Sequence, residues 1–173
     1  LASAVVLAVM GALIEKFLQA KPAAKQLTEA DYAEALNDLS HRALALADSM
    51  NETVGRGLTA LGRRSGNLAA THLPEMYEGK NTDEVLQKMC RRFRNCFDFT
   101  HRETGKGVEF DFSYCSVGRI VKAAGLKPGE ATLCVVFHDY WAGLLGSFTG
   151  KQYTVEVTKV GPPCQFNLTE RGR

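Results

Sequence analysis

The spacing of apolar residues changes near residue 97 from a helical period to a strand period, and this change constrains the fold more than any other feature. Before it, apolar residues such as Val54, Leu58, Leu61 and Leu68 recur at the spacing of an amphipathic helix. Between residues 97 and 113, apolar and polar residues alternate on either side of the turn ETGKG. Alternation of this kind is typical of strands, so the segment predicts a β-hairpin with one apolar face.

Helices are predicted on both sides of this hairpin. The apolar spacing and the positions of proline and glycine place them at about residues 1–20, 28–48, 52–72, 82–95, 116–125 and 132–148. A second hairpin is predicted over residues 153–168, with its turn at GPP. The order predicts an α+β fold, in which N-terminal helices pack on an antiparallel sheet of two hairpins.

Three glycines, Gly55, Gly62 and Gly66, lie along one stripe of the predicted helix over residues 52–72. Glycine inside a helix costs up to about 1 kcal/mol relative to alanine. We therefore expect another backbone or a ligand to approach this stripe closely.

Composition and charge restrict the function. A chain of 173 residues that is 45% hydrophobic can bury one domain core. The net charge of +2 argues against nucleic acid as a partner, and the basic residues within 88–94 suit a solvated helix face. Five widely spaced cysteines without a CxxC pair favour a reducing, cytoplasmic location.

The first fourteen residues carry no charge. They predict a helix over residues 1–20 that is buried in the core or in a partner, with contact to a membrane as the alternative. We accordingly expect residues 1–50 to form an N-terminal helical extension and residues 51–173 to form the ligand-binding domain.

Cys134 and His138 lie four residues apart and share one face of a predicted helix, a spacing that can chelate a metal. Cys164 and Cys115 could supply further ligands. The alternative is that Cys134 is a buried apolar residue, as free cysteines usually are.

Cys115 and Cys134 also lie near predicted helix starts, where the helix dipole favours a thiolate. A cysteine-dependent hydrolase is therefore an alternative function, with Cys115, Cys134, His138 and Asp139 as candidate catalytic residues.

Most of the aromatic residues must lie in the core, and some are expected to line a pocket between sheet and helices. Trp141 and His138, three residues apart, would suit an aromatic guest, with Phe110 and Tyr153 completing the candidate binding set. Ordinary core packing is the alternative for Trp141.

Several short stretches carry a resemblance to a known family: Cys134, LGRR at 61–64, AGLL at 142–145, GKQYTVEV at 150–157 and PCQF at 163–166. Over about residues 50–169, the chain resembles the 4-vinyl-reductase or hydrocarbon-binding domain, which is related to Golgi-tethering TRAPP subunits. The resemblance implies an often dimeric α+β sensor or carrier domain with a pocket for a small hydrophobic molecule, including pigment carriers or assembly factors.

The resemblance also implies a candidate cofactor. Phenol-responsive regulators of this family hold zinc with three cysteines and a glutamate, and two of these cysteines correspond to Cys134 and Cys164. The expected Glu-x-x-Cys pair is absent, because residues 158–161 read TKVG. Glu156 is the neighbouring carboxylate.

A second family is similar in its cysteine spacing. The L-2-amino-thiazoline-4-carboxylate hydrolases have cysteines near the positions of Cys115, Cys134 and the final PCQF, and Asp139 would be the carboxylate after the middle cysteine. This resemblance implies hydrolysis of a small cyclic amide-like substrate. A structural subunit of a larger, membrane-associated complex is a third alternative. We favour a module that binds a small hydrophobic or aromatic molecule and acts through a homodimer or a partner.

Overall fold

The computed structural model describes residues 28–79 and 81–172. The chain divides into two compact units, Leu1–Asp38 and Leu39–Arg173. The predicted helix over residues 1–20, with its membrane contact, lies outside the described residues. Within the described part, no helix combines the length and apolar character that crossing a membrane requires.

The first described helix, α1 (Glu29–Val54), begins with a capping box formed by Thr28 and Asp31. The backbone N–H of Thr28 donates to Asp31 Oδ2 at 2.8 Å, and the backbone N–H of Asp31 donates to Thr28 Oγ1 at 3.2 Å. The predicted break after residue 48 is wrong, because no glycine or proline interrupts the helix there. The helix ends instead where Gly55 adopts a φ of 47°.

A turn of 3-10 helix (Gly55–Gly57) leads into α2 (Leu58–Ala70), which packs against the long helix α5 (Thr132–Thr149). A Cβ atom on Gly66 would lie 2.1 Å from the carbonyl oxygen of Tyr140, and one on Gly143 would lie 2.1 Å from that of Arg63. Gly62 would collide similarly with Val136. The expected close approach is therefore confirmed for Gly62 and Gly66, and it is made by the backbone of α5.

The remaining elements follow the predicted order. They are a short 3-10 helix (Pro74–Glu78), α3 (Thr82–Phe93), β1 (Phe97–Thr104), β2 (Gly107–Cys115), α4 (Ser116–Ala123), α5, β3 (Tyr153–Lys159) and β4 (Cys164–Glu170). The strands form one antiparallel sheet in the order β1-β2-β4-β3, so the two hairpins join through β2 and β4. The predicted α+β fold is confirmed.

The core lies where α5 crosses the sheet. Trp141 is 1% exposed, and its ring makes edge contacts with Phe99, Phe110 and Phe112 at centroid distances of 5.1 to 5.6 Å. These phenylalanines alternate along β1 and β2, which places them on one face of the sheet. A smaller apolar cluster, formed by Leu44, Val121 and Cys134, lies between α1, α4 and α5.

Candidate ligand-binding cavity

A cavity of about 240 Å³ lies where the end of β2, α4, the first turns of α5 and the start of β4 meet. We call it the cysteine cavity, because Cys115, Cys134 and Cys164 all line it. Phe112 and Phe137 contribute aromatic walls, and the loops on either side contribute small residues and prolines. The lining is mostly apolar with a few polar groups, which is typical of sites for small molecules.

The β2–α4 junction forms one wall. Cys115 ends β2 and caps α4, and its Sγ accepts a hydrogen bond from the Gly118 N–H at 3.4 Å. Gly118 leaves space at this wall, since a Cβ atom there would come no nearer than 3.7 Å to Cys115 and 3.8 Å to Pro128. The cavity thus reaches the main chain of α4.

Helix α5 forms the opposite wall. Cys134 and His138 lie one turn apart on it, as their spacing predicts. Cys134 Sγ accepts a hydrogen bond from the Gly129 N–H at 3.2 Å, and His138 Nε2 lies 3.8 Å from Cys164 Sγ. The fold therefore brings three thiols and one imidazole into a single cavity.

Burial keeps these groups uncharged. It raises the pKa of the Cys115 and Cys134 thiols and raises the pKa of Cys164 to about 11. The same desolvation lowers the pKa of His138 to about 4. At neutral pH the cavity interior presents protonated thiols and a neutral imidazole.

The protonated state of the thiols argues against a nucleophilic role for the candidate catalytic cysteines. Cys115 and Cys134 do lie at helix starts, but burial outweighs their hydrogen bonds from backbone N–H groups and disfavours the thiolate. Asp139 faces α2 rather than the cavity, because its Oδ1 accepts a hydrogen bond from Arg63 Nε at 3.0 Å. The structure thus separates this carboxylate from the thiols.

The candidate zinc ligands have suitable chemistry, since three cysteines and a histidine form a common structural zinc set. Among the described residues, however, no three His, Cys, Asp or Glu side chains converge closely enough to hold a metal ion. Glu156 is exposed on β3 and does not line the cavity. The donors as arranged do not fit zinc, so zinc binding by Cys134 and Cys164 stays a prediction.

Of the predicted ligand-binding residues, His138 lines the cavity. Trp141, Phe110 and Tyr153 lie in the core, each 2% exposed or less, and are not part of this lining. Trp141 points to the sheet, and its buried Nε1 has no hydrogen-bond partner among the described residues. His138 and Trp141 are three residues apart on α5, yet His138 lines the cavity and Trp141 lies in the packed core.

Sequence reasoning missed two cations. Arg119 and Lys122 lie three residues apart on α4, both are exposed, and both line the cavity. Their spacing places them on one face of a helix. No signal in the sequence shows that this face borders the cavity, because the orientation of α4 depends on its packing against α5 and β2.

No protein-family model matches the sequence, and no curated protein matches it. Among solved structures, the chain is similar to the phenol-responsive sensory domain of the transcription activator PoxR, crystallised with phenol, with a TM-score of 0.55 and 17% identity. The similarity covers 76% of this chain and 74% of that domain. At this identity the comparison shows a shared fold, so membership of the 4-vinyl-reductase family stays a prediction.

Proposed function

We propose that this protein is a small-molecule-binding module that holds a small, largely apolar guest in the cysteine cavity. The observation that carries the proposal is a mostly apolar cavity in which the three thiols and the imidazole of His138 are uncharged. An engineered apolar cavity of roughly 150 Å³ holds benzene. The larger volume of about 240 Å³ suits a substituted single ring.

The chemistry of the lining favours an aromatic guest. Phe112 and Phe137 can contact its ring, and the neutral imidazole of His138 can exchange a hydrogen bond with a polar substituent. The shared fold with a sensory domain that was crystallised with phenol supports the same assignment. A sensor or carrier role follows from this proposal.

The proposed sensor or carrier role includes contact with another chain, to which the bound state or the guest itself is passed on. Exposed apolar side chains suit such a contact, among them Leu39, Leu46 and Leu68, which are 62%, 61% and 57% exposed. We therefore include a homodimer or a partner in the proposal.

Binding can be tested with para-ethylphenol, a single ring with one hydroxyl. Trp141 is the only tryptophan of the chain, and its ring contacts Phe112 and Phe137, which line the cavity. We expect saturable changes in tryptophan fluorescence, together with one bound molecule per chain in native mass spectrometry.

The matched variants are Gly118→Leu and Gly118→Ala. A leucine side chain would project among the lining residues and fill the cavity, whereas an alanine methyl group fits without a clash. We expect the alanine variant to bind and the leucine variant to lose binding while its thermal unfolding stays cooperative. Wild-type binding by a folded leucine variant would contradict the proposal.

A further inference from the structure

We infer that the natural guest of the cysteine cavity is an amphipathic anion, such as an aromatic or short-chain carboxylate, whose acidic group is held by Arg119 and Lys122. This inference rests on the proposed function and adds the chemical class of the ligand. The rim of the cavity, formed by Tyr114, Arg119 and Lys122, carries the argument.

The two cations are placed to act together. They lie on the same face of α4 and border the same cavity. The Arg119 guanidinium carbon lies 5.8 Å from the centroid of the Tyr114 ring, which also borders the cavity. This cation–π contact holds the guanidinium at the rim.

Their charge is not compensated within the described part of the chain. Neither Arg119 nor Lys122 forms an ion pair with a described carboxylate, and the cavity lining contains no aspartate or glutamate. Glu130, a carboxylate of the neighbouring loop, pairs instead with Lys127 at 3.4 Å. The rim therefore presents two positive charges that an incoming anion can neutralise.

The cavity interior has the opposite character. Its walls are aromatic rings, prolines and uncharged thiols, and a buried anion there would lose its hydration without a compensating charge. An anion at the exposed rim keeps part of its hydration while the apolar part enters. The contrast between the rim and the interior thus selects a guest with one charged and one apolar end.

The expected electrostatic gain is moderate because the rim is exposed. Two partly solvated charge pairs together correspond to roughly tenfold in affinity, and salt screens them. The gain should therefore be visible at low ionic strength and shrink as salt is added.

The test compares para-ethylbenzoate with para-ethylbenzamide, which has nearly the same shape and no charge. Affinities are measured by isothermal titration and by the fluorescence of Trp141 at low and high salt. We expect the benzoate to bind roughly tenfold more tightly at low salt. The double variant Arg119→Gln/Lys122→Gln should remove this preference for the benzoate over the benzamide.

Lys127→Gln is the matched control, since it removes a nearby cation that does not line the cavity. It should leave the preference for benzoate intact. Equal or tighter binding of the benzamide would overturn the inference, although the proposed function would stand. Failure of both ligands and of para-ethylphenol to bind the folded wild type would overturn the proposed function itself.

Discussion

His138 Nε2 lies 3.8 Å from Cys164 Sγ, so the middle of α5 meets the start of β4 inside the cysteine cavity. His138 is 4% exposed, and the aromatic ring of Phe166 lies at a centroid distance of 5.0 Å from its imidazole. Among the described residues no carboxylate forms an ion pair with this imidazole, and desolvation by burial lowers the pKa of His138 to about 4.

The lowered pKa predicts a specific pH dependence of stability. Above the ordinary pKa of 6.5, His138 is neutral in both the folded and the unfolded chain, so its burial does not make the free energy of unfolding depend on pH. As pH falls from 6.5 towards 4, the unfolded chain binds a proton that the folded chain does not, so stability falls by about 3 kcal/mol. Urea unfolding across this range measures the loss. His138→Gln should lack this part of the dependence, and an identical pH profile for wild type and variant would contradict it.

The raised thiol pKa values predict the order of cysteine modification. Cys96 is exposed, whereas burial raises the pKa of Cys115, Cys134 and Cys164. A chromogenic disulfide reagent at neutral pH should therefore modify Cys96 rapidly and the three cavity thiols slowly. Cys96→Ser should remove the fast phase, and unfolding should make all remaining thiols reactive. A fast phase that persists at Cys115 or Cys134 would instead favour the cysteine-dependent hydrolase.

The contact between α2 and α5 predicts unequal effects of two glycine substitutions. A Cβ atom on Gly66 would lie 2.1 Å from the Tyr140 carbonyl oxygen, so Gly66→Ala must push the helices apart and should cost about 1 to 3 kcal/mol. Gly57→Ala is the control, because its nearest neighbour would be Val54 Cβ at 3.5 Å. Chemical denaturation should show a clear loss of stability for the first variant and little change for the second.

The ion pair between Arg63 and Asp139 predicts how pH affects the stability of the variant Arg63→Gln. Burial raises the pKa of Asp139, and the Arg63 guanidinium at 3.0 Å opposes this rise. Arg63→Gln should raise the pKa of Asp139 further. The free energy of unfolding of this variant should therefore move closer to that of the wild type as pH falls towards 4. At neutral pH we expect a loss of about 1 to 3 kcal/mol, since the buried carboxylate of Asp139 loses its ion-pair partner and keeps its hydrogen bond with Thr59.

Asp139→Asn and the double variant complete the thermodynamic cycle. In the double variant no charge is buried, so the loss caused by Arg63→Gln should shrink in the Asp139→Asn background. Additive losses at neutral pH would show that the two side chains do not interact.

The elements of the fold were largely predictable, whereas the cavity was only partly so. Alternation between residues 97 and 113 is a local signal, and the strands Phe97–Thr104 and Gly107–Cys115 follow it. The continuation of α1 to Val54 was missed, although no glycine or proline lies between residue 48 and Gly55 to end the helix earlier. The placement of His138 beside Cys134 was predicted correctly, since residues four apart share a helix face.

The rim could not be predicted in the same way. Arg119 and Lys122 belong to a short helix whose charged face could equally well have faced bulk solvent. Only the packing of α4 beside α5 and β2 places these cations at a cavity. The packing of Trp141 likewise depends on aromatic residues from α3 and both strands of the first hairpin.

The glycine contacts between α2 and α5 have a mechanical consequence. With backbone against backbone at Gly66 and Gly143, the pair has no layer of side chains that could slide or reorient to absorb a displacement. A guest in the cavity would contact Cys134 and His138 on α5, the same helix whose backbone packs directly on α2. A shift of α5 should therefore displace α2 with it as a rigid pair.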